Sequence, residues 1–491
     1  MRDWLFDCDE LHSECAPTKD DELPTRLICV GTERKPLLHL VETSATNIED
    51  KKYVALSHRW GETGTRHFVT HLRDEQGHDL ESFKRSIPYS EVPQTFKDAI
   101  KVTRKLGISY LWIDSLCIIQ GEGGDFGTEA KRMEDVFSCA YCVIAASRAA
   151  NQAAGFLGKR PGTPRQFVTL KQENAAPIYV CEGIDDFEKD VLKGSLNRRG
   201  WVLQERALAR RTIYFTDSQM YFECGGGVRC ETLTKMENNF EFLGDARFPN
   251  KAVKEQSRAV KIRYFQDLYR RYSELELTRI QDRPVAIAGL ETRLRQGYSI
   301  SGGYGIFDDG PDHGLFHRSL LWRRGKDINA LKPIDFSSDP ELAAPTWSWM
   351  AHEGGIDYLD PPYDKNIWSG TEIKAPWTTA TEDSSGPRNT SHLQVVARSF
   401  DVSGGGSKDF SLIYDNPDRP AAFNKERTMC VVVARAKEGD LDKQKIHYVL
   451  LVEGVGGLEQ QGRKVYGRVG VGSLLGKYII LSGEGTKGVV Q

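Results

Sequence analysis

The sequence predicts an α/β protein: a mostly parallel sheet flanked by helices, then a helical segment, then a β-rich C-terminal region. Three observations predict it. Short apolar runs, "YVALS" (53–57), "SYLWID" (109–114) and "YCVIAAS" (141–147), alternate with stretches at helical spacing. Residues 250–295 carry helical periods in "VKIRYFQDLYRRYSELEL" and "PVAIAGLETRLRQG". From about residue 340 the chain turns to β runs punctuated by Gly and Pro. Apolar strands joined by helical crossovers imply a parallel sheet covered on both faces. The expected domains are 1–240, with an insertion near 148–195; a helical connecting region, 241–335; and a β-rich domain, 336–491.

The elements follow in order. Residues 1–50 are polar, with a short strand at "RLICVG" (26–31). After "YVALS" comes a stretch rich in His and Arg (62–92). "VPQTFKDAIKVTRKLG" (92–107) is a helix: Phe96, Ala99, Ile100, Thr103 and Leu106 share a face, Pro93 suits its first turn and Gly107 its end. The strand "SYLWID" empties into a Gly-rich loop, "QGEGGDFG" (120–127). "TEAKRMEDVFSCA" (128–140) is helical through Ala130, Met133 and Phe137. "GWVLQERALAR" (200–210) is a helix, and "TIYF" (212–215) and "QMYFEC" (219–224) form a hairpin. Further on, "TMCVVVARA", "HYVLLVEG", "KVYGRVGVG" and "KYIILSG" read as strands. "APTWSWMA" (344–351) reads as a strand with both Trp rings on one face, and "SGGGSKD" (403–409) as a loop.

The bulk numbers narrow the function classes. At 491 residues the chain needs more than one core. Hydrophobic content of 39% and charged content of 27% are ordinary for a globular protein. Net charge is −3 with no single-sign run, so neither a nucleic-acid nor a polybasic membrane role is expected. No run of about 18 apolar residues predicts a membrane span. The N-terminus, "MRDWLFDCDELHSEC", lacks the apolar core of a signal peptide, so the ten cysteines read as reduced thiols in a cytoplasmic location.

In parallel sheets ligands bind beyond the carboxyl ends of the strands. Ser57, His58, Arg59, Trp60 and Gly61 stand at one such end, Asp114 and Cys117 at another. Arg59 suits a phosphate, Trp60 offers a stacking face, and Gly61 lets backbone approach closely; a capped strand end with a packing Trp is the plainer reading. A Ser57–His58 hydrolase dyad is disfavoured, because strand neighbours point to opposite faces and no GxSxG elbow exists. Cys117 is either a nucleophile or a buried packing thiol. The loop glycines could offer N–H groups to a diphosphate. Trp201 and Glu205 fall one helical turn apart on one face. Glu205 would serve ribose hydroxyls or a cationic sugar transition state, or else be a surface acid beside Arg199 and Arg206. No metal site is expected. The CxxC of Cys139 and Cys142 lies partly in an apolar strand, and Cys224 with Cys230 is a looser pair.

Four segments, "YVALSHRWG", "VPQTFKDAIKVTRKLGISYLWIDSLCIIQ", "EAKRMEDVFSCAYCVIAAS" and "RGWVLQERAL", together resemble the fungal heterokaryon incompatibility (HET) domain, in order over roughly 53–225. "RPVAIAGL", "LLW" and "APTWSWMA" resemble an extension seen in many HET-containing proteins. HET domains in turn look like distant relatives of TIR (Toll/interleukin receptor-like) domains, which implies a TIR-like, flavodoxin-like sheet. "ALSHRWGE" stands where TIR domains have their first strand, with His58 in place of an aromatic and Trp60 intruding before Gly61. Trp201 to Glu205 stands where catalytic TIR domains have Trp, three residues and the catalytic Glu. The 148–195 segment has no TIR counterpart.

The resemblance therefore implies a metal-independent NAD glycohydrolase acting in heterokaryon incompatibility or programmed cell death. NAD is substrate rather than cofactor, Glu205 is catalytic, and Ser57, His58, Arg59, Trp60, Gly61, Asp114, Cys117 and Trp201 bind substrate. Many TIR domains act only when clustered, so a homo-oligomer is implied as well. The same resemblance admits a non-catalytic signalling or assembly module that at most binds nucleotide.

Overall fold

The structure, a computed structural model, describes residues 1–17, 22–32, 34–62, 67–74, 77–160, 167–171, 178–181, 183–236, 244–255, 257–310, 313–379, 392–406, 408–417, 428–460 and 462–491. The chain divides into two compact units. One comprises residues 1–252, 276–278 and 285–290; the other comprises 253–275, 279–284 and 291–491.

The first unit is built on a nine-stranded sheet. In chain order its strands are β1 (Arg26–Cys29), β2 (His39–Glu42), β3 (Tyr53–Ser57), β4 (Tyr110–Ile113), β5 (Cys142–Ala145), β6 (Arg211–Phe215), β7 (Met220–Cys224), β8 (Gly227–Cys230) and β9 (Lys235–Met236). Their order across the sheet is β9-β8-β7-β6-β5-β3-β4-β1-β2. The central four, β6-β5-β3-β4, are parallel, and the flanking strands pair antiparallel. Every residue of β3 is buried, as a strand covered on both faces requires.

Counting only the parallel strands, their spatial order is 2-1-3-4. The chain leaves β3 toward one edge, then returns past it to β5. Right-handed crossovers then demand helices on opposite faces for the two directions. The crossover helices are α1 (Gln94–Leu106) after β3, α2 (Phe126–Cys139) after β4 and α3 (Gly200–Leu208) after β5. Tyr53 OH donates to the Val136 carbonyl of α2 at 2.6 Å, and Ser57, on the same face of β3, reaches Glu205 of α3. His58 instead sets its ring edge-on to Phe96 of α1, 5.0 Å away. Alternation along β3 thus divides these groups between two faces, and the disfavoured Ser57–His58 dyad is absent.

Helix α1 buries Phe96, Ala99, Ile100 and Thr103 as expected, and Gly107 closes it in the left-handed conformation. Pro93 sits at the N-cap, one residue before the expected first turn. The same helix buries an acid. Asp98 accepts the N–H groups of Phe156 and Leu157 at 2.7 and 2.9 Å, and the Gln94 amide at 2.7 Å. Replacing Asp98 by Ala strands the buried Phe156 N–H and the part-buried Leu157 N–H, so a loss of about 2 kcal/mol in urea unfolding is expected; a loss below about 0.5 kcal/mol would show the pairing to be dispensable.

The 148–195 segment departs from the expected irregular insertion. Its start is built into the sheet's carboxyl edge: Gln152 Oε1 accepts Phe68 N–H at 2.8 Å, and its carbonyl accepts Thr95 N–H at 3.0 Å. Further on, Phe167–Leu170 and Ile178–Cys181 pair as an antiparallel hairpin. Residues 161–166, 172–177 and 182 lie outside the described residues.

The second unit contains the long helix α4 (Arg258–Ser273) and a β-rich part. Thr428–Ala436, Ile446–Gln460 and Arg463–Leu475 lie side by side antiparallel, and Thr486–Val490 joins parallel to the last. Two expected strands are not strands. "KYIILSG" opens with a helical turn at Gly476–Tyr478, and Ile480 is exposed. In "APTWSWMA" both Trp rings are buried as expected, but on a turn whose Ser348 side chain accepts Met350 N–H; the local cap overrides the alternation. Among the described residues, no helix is long and apolar enough to cross a membrane.

Candidate active site

The strand order reverses between β3 and β5, and the carboxyl ends of strands at such a reversal are where doubly wound sheets form their ligand crevice. Ser57 ends β3 opposite Ala145 of β5. The next residues turn across this edge. Arg59 Nε donates to the Ala149 carbonyl at 3.0 Å, spanning the switch point. Gly61 has φ +117°, a backbone that disfavours any side chain, and so lets the chain fold back here.

The acid arrives from the other side. Glu205 lies on α3, whose first residues follow Arg199. Glu205 is 8% exposed, not the surface acid of the plainer reading, and its carboxylate accepts a hydrogen bond from Ser57 Oγ. Burial pushes it up to about 7; the Ser57 hydroxyl and the Arg199 guanidinium pull it down, and Asp114 pushes it up. Near neutral pH this acid is therefore poised between protonated and ionised.

A second carboxylate organises the rest. Asp114 follows β4 and begins a single helical turn, Asp114–Cys117. Its Oδ2 accepts the Trp60 indole N–H at 2.7 Å, and its Oδ1 stands 3.7 Å from His58 Nδ1. Burial lowers His58 to about 4, against the pull of Asp114, so the imidazole is neutral at pH 7. Arg199 donates to the His58 carbonyl at 2.6 Å and acts electrostatically on both Arg59 and Glu205. Burial, then Arg199, lowers the Arg59 guanidinium below its ordinary value.

Ser57, His58, Arg59, Trp60, Gly61, Asp114 and Glu205 thus gather at one edge of the sheet. Trp201 is half-buried, its ring edge-on to Phe126 of α2 at 6.1 Å. Cys117 does not join them as a contact group. It points inward from the helical turn, is 1% exposed, and burial pushes its thiol up to about 12, so it packs rather than touches a ligand. The glycine loop is partly spent on itself: Gly124 N–H bonds the Gly121 carbonyl, and Asp125 Oδ1 accepts Ile119 N–H. Arg206 faces away, locked to Glu223.

Among the cysteines, Cys142 is buried in β5, and burial pushes its thiol up to about 12. The looser pairing of Cys224 with Cys230 is not formed: Cys230 turns to Thr232 and Thr234, Cys224 to His12.

Two features escaped sequence reasoning. One is the Ala149–Gln152 wall, read as insertion. The other is a cavity of about 510 Å³ lined by Trp60, His67, Val69, His71, His78 and Gln120, with Asp74. Trp60 joins it to the acidic cluster, since its indole N–H binds Asp114 while its ring lines the cavity. The clustering of His67, His71 and His78 in a polar stretch was the available signal.

Residues 53–205 match the family model described as Heterokaryon incompatibility protein (HET). The chain carries a heterokaryon incompatibility domain. The matched stretch begins on β3 and ends on Glu205, so it includes both partners of the Ser57–Glu205 hydrogen bond. Comparison with curated proteins and with solved structures returns no significant match. The HET domain implies a role in heterokaryon incompatibility.

Proposed function

We propose that the HET domain is an NAD glycohydrolase with Glu205 as its catalytic carboxylate. One observation carries the reading: a buried acid, hydrogen-bonded by Ser57 and poised near pH 7, at the topological switch of a doubly wound sheet. The 2-1-3-4 order of the parallel strands is that of flavodoxin-like sheets, which supports a TIR-like fold.

The chemistry asks little of the protein. The bond from ribose C1′ to the pyridine nitrogen breaks, and its electron pair goes to the ring, which leaves as neutral nicotinamide. No general acid is needed for departure. The ribose becomes an oxocarbenium-like cation, which a fixed carboxylate stabilises directly and by accepting from ribose hydroxyls. Water then adds its oxygen to C1′ and gives its proton to Glu205 or to solvent. Ser57 orients the carboxylate. Arg59 and Arg199 suit the diphosphate, and Trp60 offers a face to a ring.

The working form of Glu205 is ionised, so nicotinamide release, followed by chromatography, is expected to rise with pH through an inflection near 7. The Ser57 hydrogen bond favours the ionised form. Ser57→Ala is therefore expected to move the inflection upward and to lower kcat by about tenfold. An inflection that stays in place in this variant would separate Ser57 from the acid. Absence of nicotinamide release from wild type at every pH would leave the non-catalytic module.

A further inference from the structure

We propose that Cys8, His12, Cys15 and Cys224 form a structural zinc site, independent of the crevice. Their ligand atoms all lie within 4.8 Å of one another, with Cys224 Sγ and His12 Nδ1 3.3 Å apart. Zinc at about 2.3 Å from sulfur and about 2.0 Å from nitrogen puts tetrahedral ligand atoms about 3.5–3.8 Å apart, so small side-chain movements close the shell. Three thiols and one imidazole are a recognised structural zinc set, and soft thiolates favour zinc over magnesium or calcium.

The surroundings fit a built site. All three cysteines are 4% exposed or less. Gly225 N–H donates to Cys15 Sγ at 3.2 Å, the backbone support a thiolate ligand uses. Gly226 packs against the His12 ring; a Cβ there would come within 2.1 Å of it. The turn between His12 and Cys15 is held from outside. Arg210 donates to the Cys15 carbonyl at 2.9 Å, and Arg247 to the Ser13 and Glu14 carbonyls at 2.9 and 3.0 Å. Arg210 and Arg211 also bring positive charge next to a site whose three thiolates exceed the charge of one zinc ion. Cys8, Cys15 and Cys224 form no disulfide.

Four protein ligands leave no open position, so this metal holds structure and takes no substrate. It pins the N-terminal helix Arg2–Leu11 to the end of β7. The sequence hides the site because its fourth ligand, Cys224, comes more than two hundred residues after Cys15.

The test uses the full chain, purified without chelator and desalted, with metal measured by inductively coupled plasma mass spectrometry. About one zinc per chain is expected. Cys15→Ser and Cys224→Ser are expected to lose at least four-fifths of it, while Cys29→Ser, away from the cluster, keeps it. Cobalt(II) substitution of wild type checks the same ligands without any variant having to fold. Intense visible bands of a tetrahedral, thiolate-bound cobalt are expected. Wild type with no zinc, zinc unchanged in both variants, pale octahedral cobalt, or a disulfide among Cys8, Cys15 and Cys224 in the purified protein would each overturn the site.

Discussion

Glu205→Gln is expected to lower NAD cleavage on the order of 10³-fold while making the protein more stable at pH 8. The two effects share a cause. Gln keeps the shape and an acceptor for the Ser57 hydroxyl, but it carries no charge to set against an oxocarbenium ion; a factor of 10³ corresponds to about 4 kcal/mol of transition-state stabilisation. The stability effect follows from linkage. The folded acid titrates near 7, above its ordinary 4.5, so between those values the folded state holds a proton that the unfolded chain has released. The favourable protonated state is fully present below pH 4.5 and is lost as pH rises through 7. Above that the buried charge costs at most about 3 kcal/mol, which the amide never meets. A gain of about 5–10 °C in Tm at pH 8, shrinking toward zero near pH 5, is the expected signature. Glu291 supplies a control. Burial raises it to about 7 as well, and it accepts from Tyr269 OH and Gly305 N–H in the second unit. Glu291→Gln is expected to remove a similar pH-dependent instability with turnover intact. Turnover by Glu205→Gln equal to wild type would move the catalytic role elsewhere.

How much of this was legible in the sequence depended on range. Local periodicity was enough for β3 and α1, because burial on both faces leaves a continuous apolar run and burial on one face leaves a helical stripe. The carboxyl ends of the strands were legible because parallel sheets place ligands there. The bond from Ser57 to Glu205 was not, since 148 residues separate the partners and only the crossover order brings them together. Cys117 misled by its nearness to Asp114: three residues into a helical turn, its side chain has swung from the edge into the core. Arg206 stands beside Glu205 in the sequence and reads as its partner, yet successive helix positions diverge by about 100°. Residues 148–152 read as insertion because their contacts are with distant backbone, at Trp60, Phe68 and Thr95, which leaves no periodic trace.

That divergence puts the largest expected stability effect one residue from the acid. Arg206 makes two parallel bonds to Glu223 of β7, at 2.9 and 2.8 Å, and Tyr214 OH adds a third to the same carboxylate at 2.6 Å. Both charged side chains are nearly buried, 3% and 5% exposed, and the guanidinium lies over the rings of Phe187 and Tyr214. Arg206→Met leaves the Glu223 carboxylate in the core without its cation, and a loss of about 3–5 kcal/mol is expected by urea unfolding. The triple variant Arg206→Met, Glu223→Leu, Tyr214→Phe removes these three polar groups together at similar volume and is expected to recover most of that loss. Such recovery would mean that the ion pair holds α3 in one orientation more than it stabilises the fold. A single variant as stable as wild type would show that the pair contributes neither. The contrast with Glu205 is the reason to expect both results on one helix. An acid kept buried with no ion-pair partner among the described residues is a local instability, and α3 tolerates it because the adjacent residue is fastened by two charged hydrogen bonds to the strand on the other side. Loosening Arg206 should therefore reduce nicotinamide release in proportion to the folded fraction, whereas Glu205→Gln reduces it with the protein fully folded.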